Sequence, residues 1–424
     1  MKTFQPKIIE TLKDYNSKKL VSDLVAGLIV AIIALPLSIA LAIASGVAPE
    51  KGIYTAIVAG LVISLLGGSR VNISGPTAAF ATIVAGIVAQ HGISGLAIST
   101  IMAGIMLVLF GVLRLGGLIK YIPHSITTGF TSGIAVTIIV GQLKDFFGLT
   151  YPAGTHAIET SEKFMAVVNN FSTVNFLAVL VGLAGLLILV FWPKINLSVC
   201  KKIPASLIAV VVCTAIVKIF AIKVNTIGDL YTISKSLPAF SLPEFSLESI
   251  KSLISPAFTI ALLAAIESLL SCVVSDGMIS DKHNSNTELI AQGVGNICSA
   301  LFGGIPATGA IARTAANVKN GGRSPVSGIT HAIVLLLVLV VLMPYAAWIP
   351  MPIIAAVLFM VAYNMSEYKE FIKICKTAPK TDVLVLILTF VLTVVFDLVV
   401  AIAVGCVLTF VFYILKKLFK KESK

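Results

Sequence analysis

Charged side chains are scarce in this sequence of 424 residues. Asp, Glu, Lys and Arg together make up 12% of it, against about a quarter of a typical soluble domain, while hydrophobic residues make up 58%. The mean hydropathy of +1.03 excludes a soluble globular enzyme. Because the apolar stretches are long and unbroken, they also exclude a β-barrel, whose strands alternate with period two over about ten residues. We therefore predict an all-α polytopic membrane protein.

Motifs for catalysis and metal binding are missing too. The six cysteines lie in or beside apolar segments, with neither CxxC spacing nor a histidine partner, so we expect no metal site and no disulfide. There is no HExxH, GxSxG or phosphate-binding loop. We therefore expect no cofactor and no enzyme activity.

Acidic residues are outnumbered by basic ones, 19 against 31, which leaves a formal net charge of +12. Most of the basic residues fall in segments that fourteen spans would place on the inner side. Since Lys and Arg accumulate on the cytoplasmic side, we predict a multi-pass protein of the cell (plasma) membrane with both termini cytoplasmic. The excess positive charge then faces the anionic lipid bilayer, so no nucleic-acid partner is expected.

Fourteen apolar segments follow one another along the chain. Two of them, the third and the tenth, are too short to cross about 30 Å of hydrocarbon, which takes about 20 helical residues. We predict that these two are half-helices entered from extended chain. The segments begin near Leu24, Ile53, Pro76, Ile93, Ser125, Val174, Ile203, Leu253, Asn286, Thr308, Gly328, Pro350, Asp382 and Leu398.

The fourteen segments divide into two halves of seven. A Gly-Gly pair precedes each Pro-containing half-helix, at Gly67-Gly68 and Gly303-Gly304. Because an odd number of spans per half turns the second half over, we predict inverted repeats, which bind substrate near the midplane. The chain is divided into a cytoplasmic amphipathic N-terminus (1–22), a first repeat (23–222), an extracellular loop (223–251), a second repeat (252–415) and a basic cytoplasmic tail (416–424).

Several polar residues are interpreted as helix caps or as packing groups. Asp23 is assigned to the cap of the first helix, and either Asp281 or Asn284 to a helix in the second half. Asp397 is assigned to the turn before the last segment. Three histidines fall near predicted helix ends, where solvated or packing roles are expected: His124, His283 and His331.

Two ionisable side chains interrupt apolar surroundings in the second half, Glu267 in SPAFTIALLAAIESLLSCVV and Arg313 in GGIPATGAIARTAANV. At membrane depth such a residue costs about 2.5 to 3.5 kcal/mol on insertion scales, so one that persists usually lines a substrate or ion pathway. Two half-helix N-termini would add unpaired N–H groups and positive dipole ends, which attract anions. We predict a site for a small anionic substrate around Arg313.

Alternatives to this interpretation stay open. The small residues after each proline are also typical of tight helix packing in membranes. Arg313 and Glu267 would also fit a structural ion pair. Ser271 lies one helical turn after Glu267, an arrangement that suits either a protonatable carboxyl group or an oxygen-lined cation site.

Ordered motifs between Asp23 and about Leu415 resemble the sulfate permease (SulP) family of anion transporters, whose animal members include the solute-carrier 26 exchangers and prestin. Within that family, the chain is similar to the bacterial C4-dicarboxylate transporter branch. The motifs are AGLIVAIIALPLSIALAIASGVAPEKGIYTAIVAG, GGSRVNISGPTAAF, YIPHSITTGFTSGI, LLAAIESLLSCVVSDGMISDKHNSN, ELIAQGVGNICSALFGGIPATGAIARTAANV and VAYNMSEYKEF.

The resemblance implies a core domain that moves against a gate domain in an elevator-like manner, usually in a homodimer. It implies an anion held between the N-termini of segments 3 and 10, with segment 1 completing the pocket. Family members usually continue into a cytosolic STAS domain, which the present sequence does not include. The implied binding residues are Thr77, Ala78, Ala79, Gly309, Ala310, Ile311, Arg313, Leu37 and Leu41.

For coupling, the resemblance points to Glu267 and Ser271. Sodium-coupled bicarbonate members have aspartate and threonine at these two positions and a threonine near Ile311, so glutamate with serine is more similar to the proton-linked members. The expected function is proton-coupled symport of C4-dicarboxylates. The alternatives are sulfate or bicarbonate transport, with or without sodium coupling, an uncoupled anion channel, and a nucleobase permease.

Overall fold

A computed structural model describes residues 4–117, 123–152, 155, 157–196, 203–234, 236–395, 401, 404–405 and 407–408. Within these ranges the chain is folded mostly into α-helices, which confirms the predicted all-α membrane class. Eight of the described helices are long and apolar enough to span a membrane.

The helix bounds place the predicted segments. They are α1 (Lys7–Thr11), α2 (Ser17–Ala44), α3 (Pro49–Leu66), α4 (Ala78–Val112), α5 (His124–Phe147), α6 (Thr160–Asn169), α7 (Phe176–Phe191), α8 (Ala205–Ile219), α9 (Ile227–Leu230), α10 (Leu247–Ile279), α11 (Ser285–Leu301), α12 (Ile311–Lys319), α13 (Pro325–Leu342), α14 (Met351–Met365), α15 (Tyr368–Thr377) and α16 (Lys380–Val395). Two short strands are β1 (Ser74–Gly75) and β2 (Thr308–Gly309).

Thirteen of the fourteen predicted segments coincide with described helices. The fourteenth, which begins near Leu398, lies mostly outside the described residues, as do Asp397 and the tail 416–424. The count of fourteen spans therefore stays a prediction.

Helix α4 contains both the third and the fourth predicted segments. It bends at Gly92, whose φ of +66° and ψ of −172° are open to glycine at little cost. The part before the bend, residues 78–91, is about 21 Å long at 1.5 Å per residue. Helix α12 has 9 residues and reaches about 14 Å. Both are too short to cross the hydrocarbon, as predicted for half-helices.

The longer helices pack in two groups. One contains α2, α3, α4, α10, α11, α12 and α13, and the other contains α5, α7, α8, α14 and α16. The first group combines helices from both halves of the chain, as expected for intertwined inverted repeats. In its centre α4 and α11 approach closely at Gly104, because a methyl group placed there would lie 2.6 Å from the carbonyl oxygen of Gly293. We call these groups the core and the gate.

Two interpretations of polar residues were wrong. Helix α2 begins at Ser17 and is capped by Asn16, whose side chain accepts a hydrogen bond from the Lys19 N–H. Asp23 is therefore inside α2, where its buried carboxylate accepts bonds from the N–H groups of Arg323 (2.8 Å) and Ser324 (3.2 Å). It thus holds Ser324, the N-cap residue of α13, a helix that is distant in sequence.

The other misplaced residue is His331, which lies inside α13 and is fully buried instead of sitting near a helix end. Asn284 is confirmed as the cap of α11, since its side chain accepts a bond of 3.1 Å from the Thr287 N–H.

Candidate functional site

The strand pair β1–β2 brings the two half-helices together. The strands are antiparallel, with Ser74 opposite Gly309 and Gly75 opposite Thr308. Strand β1 leads through Pro76 and Thr77 into α4, and β2 leads through Ala310 into α12. Because antiparallel strands run in opposite directions, the two helices leave the pair on opposite sides, with their N-termini next to it. The predicted extended entry into both half-helices is confirmed.

Hydrogen bonds continue the pairing beyond the two strands. The Ala310 N–H donates to the Ile73 carbonyl (2.8 Å), and the Ile73 N–H donates to the Thr314 hydroxyl (3.0 Å). Gly309 must lack a side chain, because a methyl group there would lie 2.7 Å from the side-chain amide of Asn72. The start of α12 is therefore fixed directly to the chain that enters α4.

Arg313 lies in the first turn of α12 and is only 4% exposed. Its Nη2 donates to the Pro76 carbonyl, just before α4, whereas its Nη1 has no hydrogen-bond partner among the described residues. The guanidinium group lies against Gly75, where a methyl group would come within 2.6 Å of Nη1. A permanent positive charge with a free donor thus lies between the two helix N-termini.

Glu267 lies in α10 and is partly exposed. Its Oε2 accepts a hydrogen bond of 2.9 Å from the Thr77 hydroxyl, at the N-cap of α4. No ion pair joins Glu267 to Arg313, although both residues are described. The alternative of a structural ion pair is therefore not formed in this conformation, and the carboxylate and the guanidinium are held separately at the N-terminus of α4.

The other predicted binding residues are distributed around this point. Leu41, Ala78 and Ala79 belong to one buried apolar cluster, and Leu37 packs against it. Gly309 is buried in β2, Ala310 is half-buried as the N-cap of α12, and Ile311 is 41% exposed. Leucines of α2 are thus part of the same cluster as the first turn of α4.

Ser271 is fully buried behind the strand pair. Its hydroxyl donates to Asn72 Oδ1 (2.7 Å) and lies 3.1 Å from the Thr314 hydroxyl. Glu267 instead contacts Thr77, so the two predicted coupling residues take part in different hydrogen-bond groups. Among the described residues there is no cluster of three or more His, Cys, Asp or Glu side chains that would hold a metal ion.

Sequence reasoning missed a polar face of α11 that holds the site in place. Glu288, Gln292 and Asn296 recur every four residues, are fully buried and lie on one side of the helix. Gln292 donates to the Ser74 hydroxyl (2.9 Å), and Asn296 exchanges two hydrogen bonds with the backbone of Ala307, of 2.8 and 2.9 Å. The recurrence of a polar residue at every fourth position was the sequence signal that could have revealed this face.

Glu288 is the centre of this face. Its Oε2 accepts bonds from the N–H groups of Gly68 (2.9 Å) and Ser69 (3.2 Å), and its Oε1 from the amides of Asn72 (2.8 Å) and Gln292 (3.0 Å). An acidic residue in the first turn of a helix usually serves the helix dipole at the surface, so its burial was not predictable. Here it fixes the loop that leads into β1.

The arrangement has the chemistry of an anion site. Two helix N-termini and the unpaired Nη1 of the buried Arg313 side chain are donors or positive charges, whereas the Thr77 hydroxyl already donates to Glu267. The partly exposed carboxyl group of Glu267 contacts the same threonine and can bind a proton there.

Comparisons with known proteins agree on one family. The model of the Sulfate permease family matches residues 20–389. The chain is 45% identical over 408 residues to the putative sulfate transporter YvdB of Bacillus subtilis, covering 95% of this chain and 75% of that protein. It is 32% identical over 371 residues to the bicarbonate transporter BicA of Picosynechococcus sp., covering 85% of this chain and 64% of that protein.

Solved structures show the same fold. The transmembrane domain of a cyanobacterium bicarbonate transporter BicA matches with a TM-score of 0.81 at 31% identity, covering 92% of this chain and 98% of that one. Murine Solute Carrier 26 family member A9, an anion transporter in the inward-facing state, matches with a TM-score of 0.87 at 21% identity. That match covers 96% of this chain and 71% of that one, and it bears on the fold alone.

Proposed function

The chain belongs to the sulfate permease family, and from this premise we propose that it transports small anions across a membrane through the site between α4 and α12. The observation that carries the proposal is that the side chain of Arg313 is buried without a carboxylate partner in the described part of the chain. A buried guanidinium group keeps its proton, so it needs a paired carboxylate or an anion. Glu267 does not pair with it, and Nη1 is free among the described residues. A bound anion would supply the missing partner.

The proposed cargo is a compact oxyanion such as sulfate or bicarbonate. The names of the relatives support it, and so does the charge of the site, because Arg313 is the only Lys or Arg among the buried residues of the described ranges. One permanent positive charge suits an anion whose charge is concentrated in one place. The C4-dicarboxylates expected from the sequence stay a prediction, and the same uptake assay tests them.

We further propose that Glu267 couples uptake to protons. Its carboxyl group is partly exposed and bonded to Thr77 at the site, whereas Ser271 is fully buried and bonds Asn72 instead of Glu267. A sodium ion would need several such oxygens together. At a membrane potential of ~100 mV, negative inside, each net positive charge that moves inward would contribute about 2.3 kcal/mol to the driving force for uptake.

The mechanism we propose is a movement of the core against the gate, in a homodimer within the plasma membrane. Arg313, Glu267 and Thr77 all belong to the core or to its connecting chain, and none lies on a gate helix. The complete site would therefore move as one body. This division supports an elevator-type movement, and the cytoplasmic location of both termini is part of the same proposal.

Uptake into proteoliposomes tests the proposal. Labelled sulfate, bicarbonate and succinate are supplied under an imposed proton or sodium gradient. Arg313→Ala is expected to reduce uptake roughly 10- to 100-fold, because a hydrogen bond to a charged group contributes about 1.5–3 kcal/mol. Lys373→Ala is the control, since Lys373 is exposed and forms an ion pair with Glu370.

The control variant should transport as the wild type does, because exposed ion pairs contribute little. Uptake by a folded Arg313→Ala protein at the wild-type rate would contradict the assignment of the site. A requirement for sodium with no response to a proton gradient would contradict the coupling part alone.

A further inference from the structure

His331 is a buried titratable group that the proposed anion site does not use. It is 0% exposed, and neither ring nitrogen has a hydrogen-bond partner among the described residues. A neutral imidazole has one N–H donor and one acceptor nitrogen, and leaving both unpaired in an interior is unfavourable. An apolar side chain would fill the same place without this cost. The histidine therefore calls for a functional explanation.

Helix α3 places His331 next to the anion site. A methyl group on Gly60 would lie 3.2 Å from the Ser74 carbonyl and 3.8 Å from His331 Nδ1. One turn earlier on the same face, Ala56 lies beside Gly75, which contacts the guanidinium group of Arg313. The imidazole and the guanidinium groups thus lie at neighbouring places along β1, and both have unpaired nitrogens.

Arg313 is a charged side chain that lies along the same strand as His331, since it contacts Gly75 and the Pro76 carbonyl. The other elements packed against α13 carry their charged groups elsewhere. Asp23 of α2 is bonded at the start of α13, and the acid and base of α1 form surface ion pairs. The remaining titratable groups are the exposed Lys18 and Lys19 at the start of α2, three residues at the far end of α3 (Glu50, Lys51 and Tyr54), and Tyr345 in the turn after α13.

We propose that His331 binds a proton when an anion occupies Arg313 and releases it when the anion leaves, so that it is a positioning residue for proton-coupled transport. The inference rests on the proposed function. An imidazolium next to a bare guanidinium would place two like charges together in a medium of low dielectric constant. An anion on Nη1 neutralises the guanidinium and removes that repulsion.

The linkage works in both directions. Because binding free energies are reciprocal, a proton on His331 must strengthen anion binding by the same factor by which the anion strengthens proton binding. The proton forms one N–H bond with a ring nitrogen and returns to solvent through the anion site. No bond of the anion itself changes.

Sulfate binding to the purified full chain, measured across about pH 5 to 8, separates His331 from Glu267. Sulfate is used because it stays a dianion throughout this range. In the wild type its affinity should rise as the pH falls. In Glu267→Gln a dependence of up to about tenfold per pH unit should remain, the value for one linked proton. It should disappear when His331→Gln is added.

The exposed His124 provides the matched control, and His124→Gln should keep the wild-type pH profile. His331→Asn replaces His331→Gln if the latter does not fold. Proton uptake per bound sulfate, measured in weak buffer with Glu267→Gln, tests the proton linkage without altering His331. A proton should be taken up together with sulfate in this variant. A pH-independent affinity in Glu267→Gln, or a wild-type profile in a folded His331 variant, would overturn the inference. Failure of the wild type to bind sulfate, bicarbonate and succinate would refute the proposed function itself.

Discussion

Replacement of Glu288 by glutamine tests whether one buried carboxylate holds the anion site in its shape. Glu288 accepts four hydrogen bonds, two from backbone N–H groups of the loop before β1 and two from the side-chain amides of Asn72 and Gln292. A glutamine has the same size but only one oxygen. Its NH2 group must face one of the two pairs of donors.

The expected loss of folding stability follows from the number of hydrogen-bond donors that Glu288→Gln leaves without an acceptor. Two buried donors lose their acceptor whichever way the new side-chain amide turns, at about 1–3 kcal/mol each, so the expected loss is roughly 2–6 kcal/mol before relaxation. Glu288→Ala leaves all four donors unpaired, and we expect little folded protein from it. Glu288→Gln is therefore the informative change.

Thermal unfolding of the purified protein in detergent measures the effect. We expect the midpoint of Glu288→Gln to fall by several degrees and sulfate uptake to fall with it, since the loop that leads to Thr77 loosens. Glu244→Gln is the matched control, because Glu244 is exposed in the loop before α10. A midpoint within a degree of that of the control would refute the view that Glu288 is the main support of the loop.

Two further substitutions probe the same framework. Asp23→Asn should lower the stability by about 1–3 kcal/mol, because one of the donors next to the start of α13, such as the Ser324 N–H, loses a charged acceptor; an unchanged unfolding midpoint would be inconsistent with a stabilising contact there. Gly75→Ala should weaken anion uptake severalfold with little loss of folded protein, because the added methyl group meets Arg313 Nη1 at 2.6 Å. Gly86→Ala has open space for its methyl group and is the control, and equal uptake by both variants would argue against the tight contact.

Much of the fold could be predicted because the bilayer restricts the alternatives. Apolar length alone separated full spans from half-helices, since a segment as short as α12 cannot cross the hydrocarbon. The rarity of charge at membrane depth likewise singled out Arg313 and Glu267 without any structure. Both predictions rest on one-dimensional properties of the chain.

Partners distant in sequence could not be predicted in the same way. Asp23 looked like a local cap, yet it binds backbone groups about 300 residues later. Glu288 looked like an ordinary acid in the first turn of a helix, yet it is buried and binds the loop before β1. The sequence around Asp23 or Glu288 is the same whether the carboxylate binds a neighbouring N–H group or a distant one, so the sequence does not reveal the partner.

The chain by itself determined that this protein enters a membrane and where its half-helices start, and it drew attention to Arg313 and Glu267, because each of these depends on composition and length. Only the tertiary structure decided how those residues are used. The pairing of β1 with β2 leaves Arg313 without a carboxylate partner, gives Ser271 to Asn72 instead of to Glu267, and brings His331 beside the same strand. These outcomes depend on distances between residues far apart in sequence, which are set by packing of the whole core.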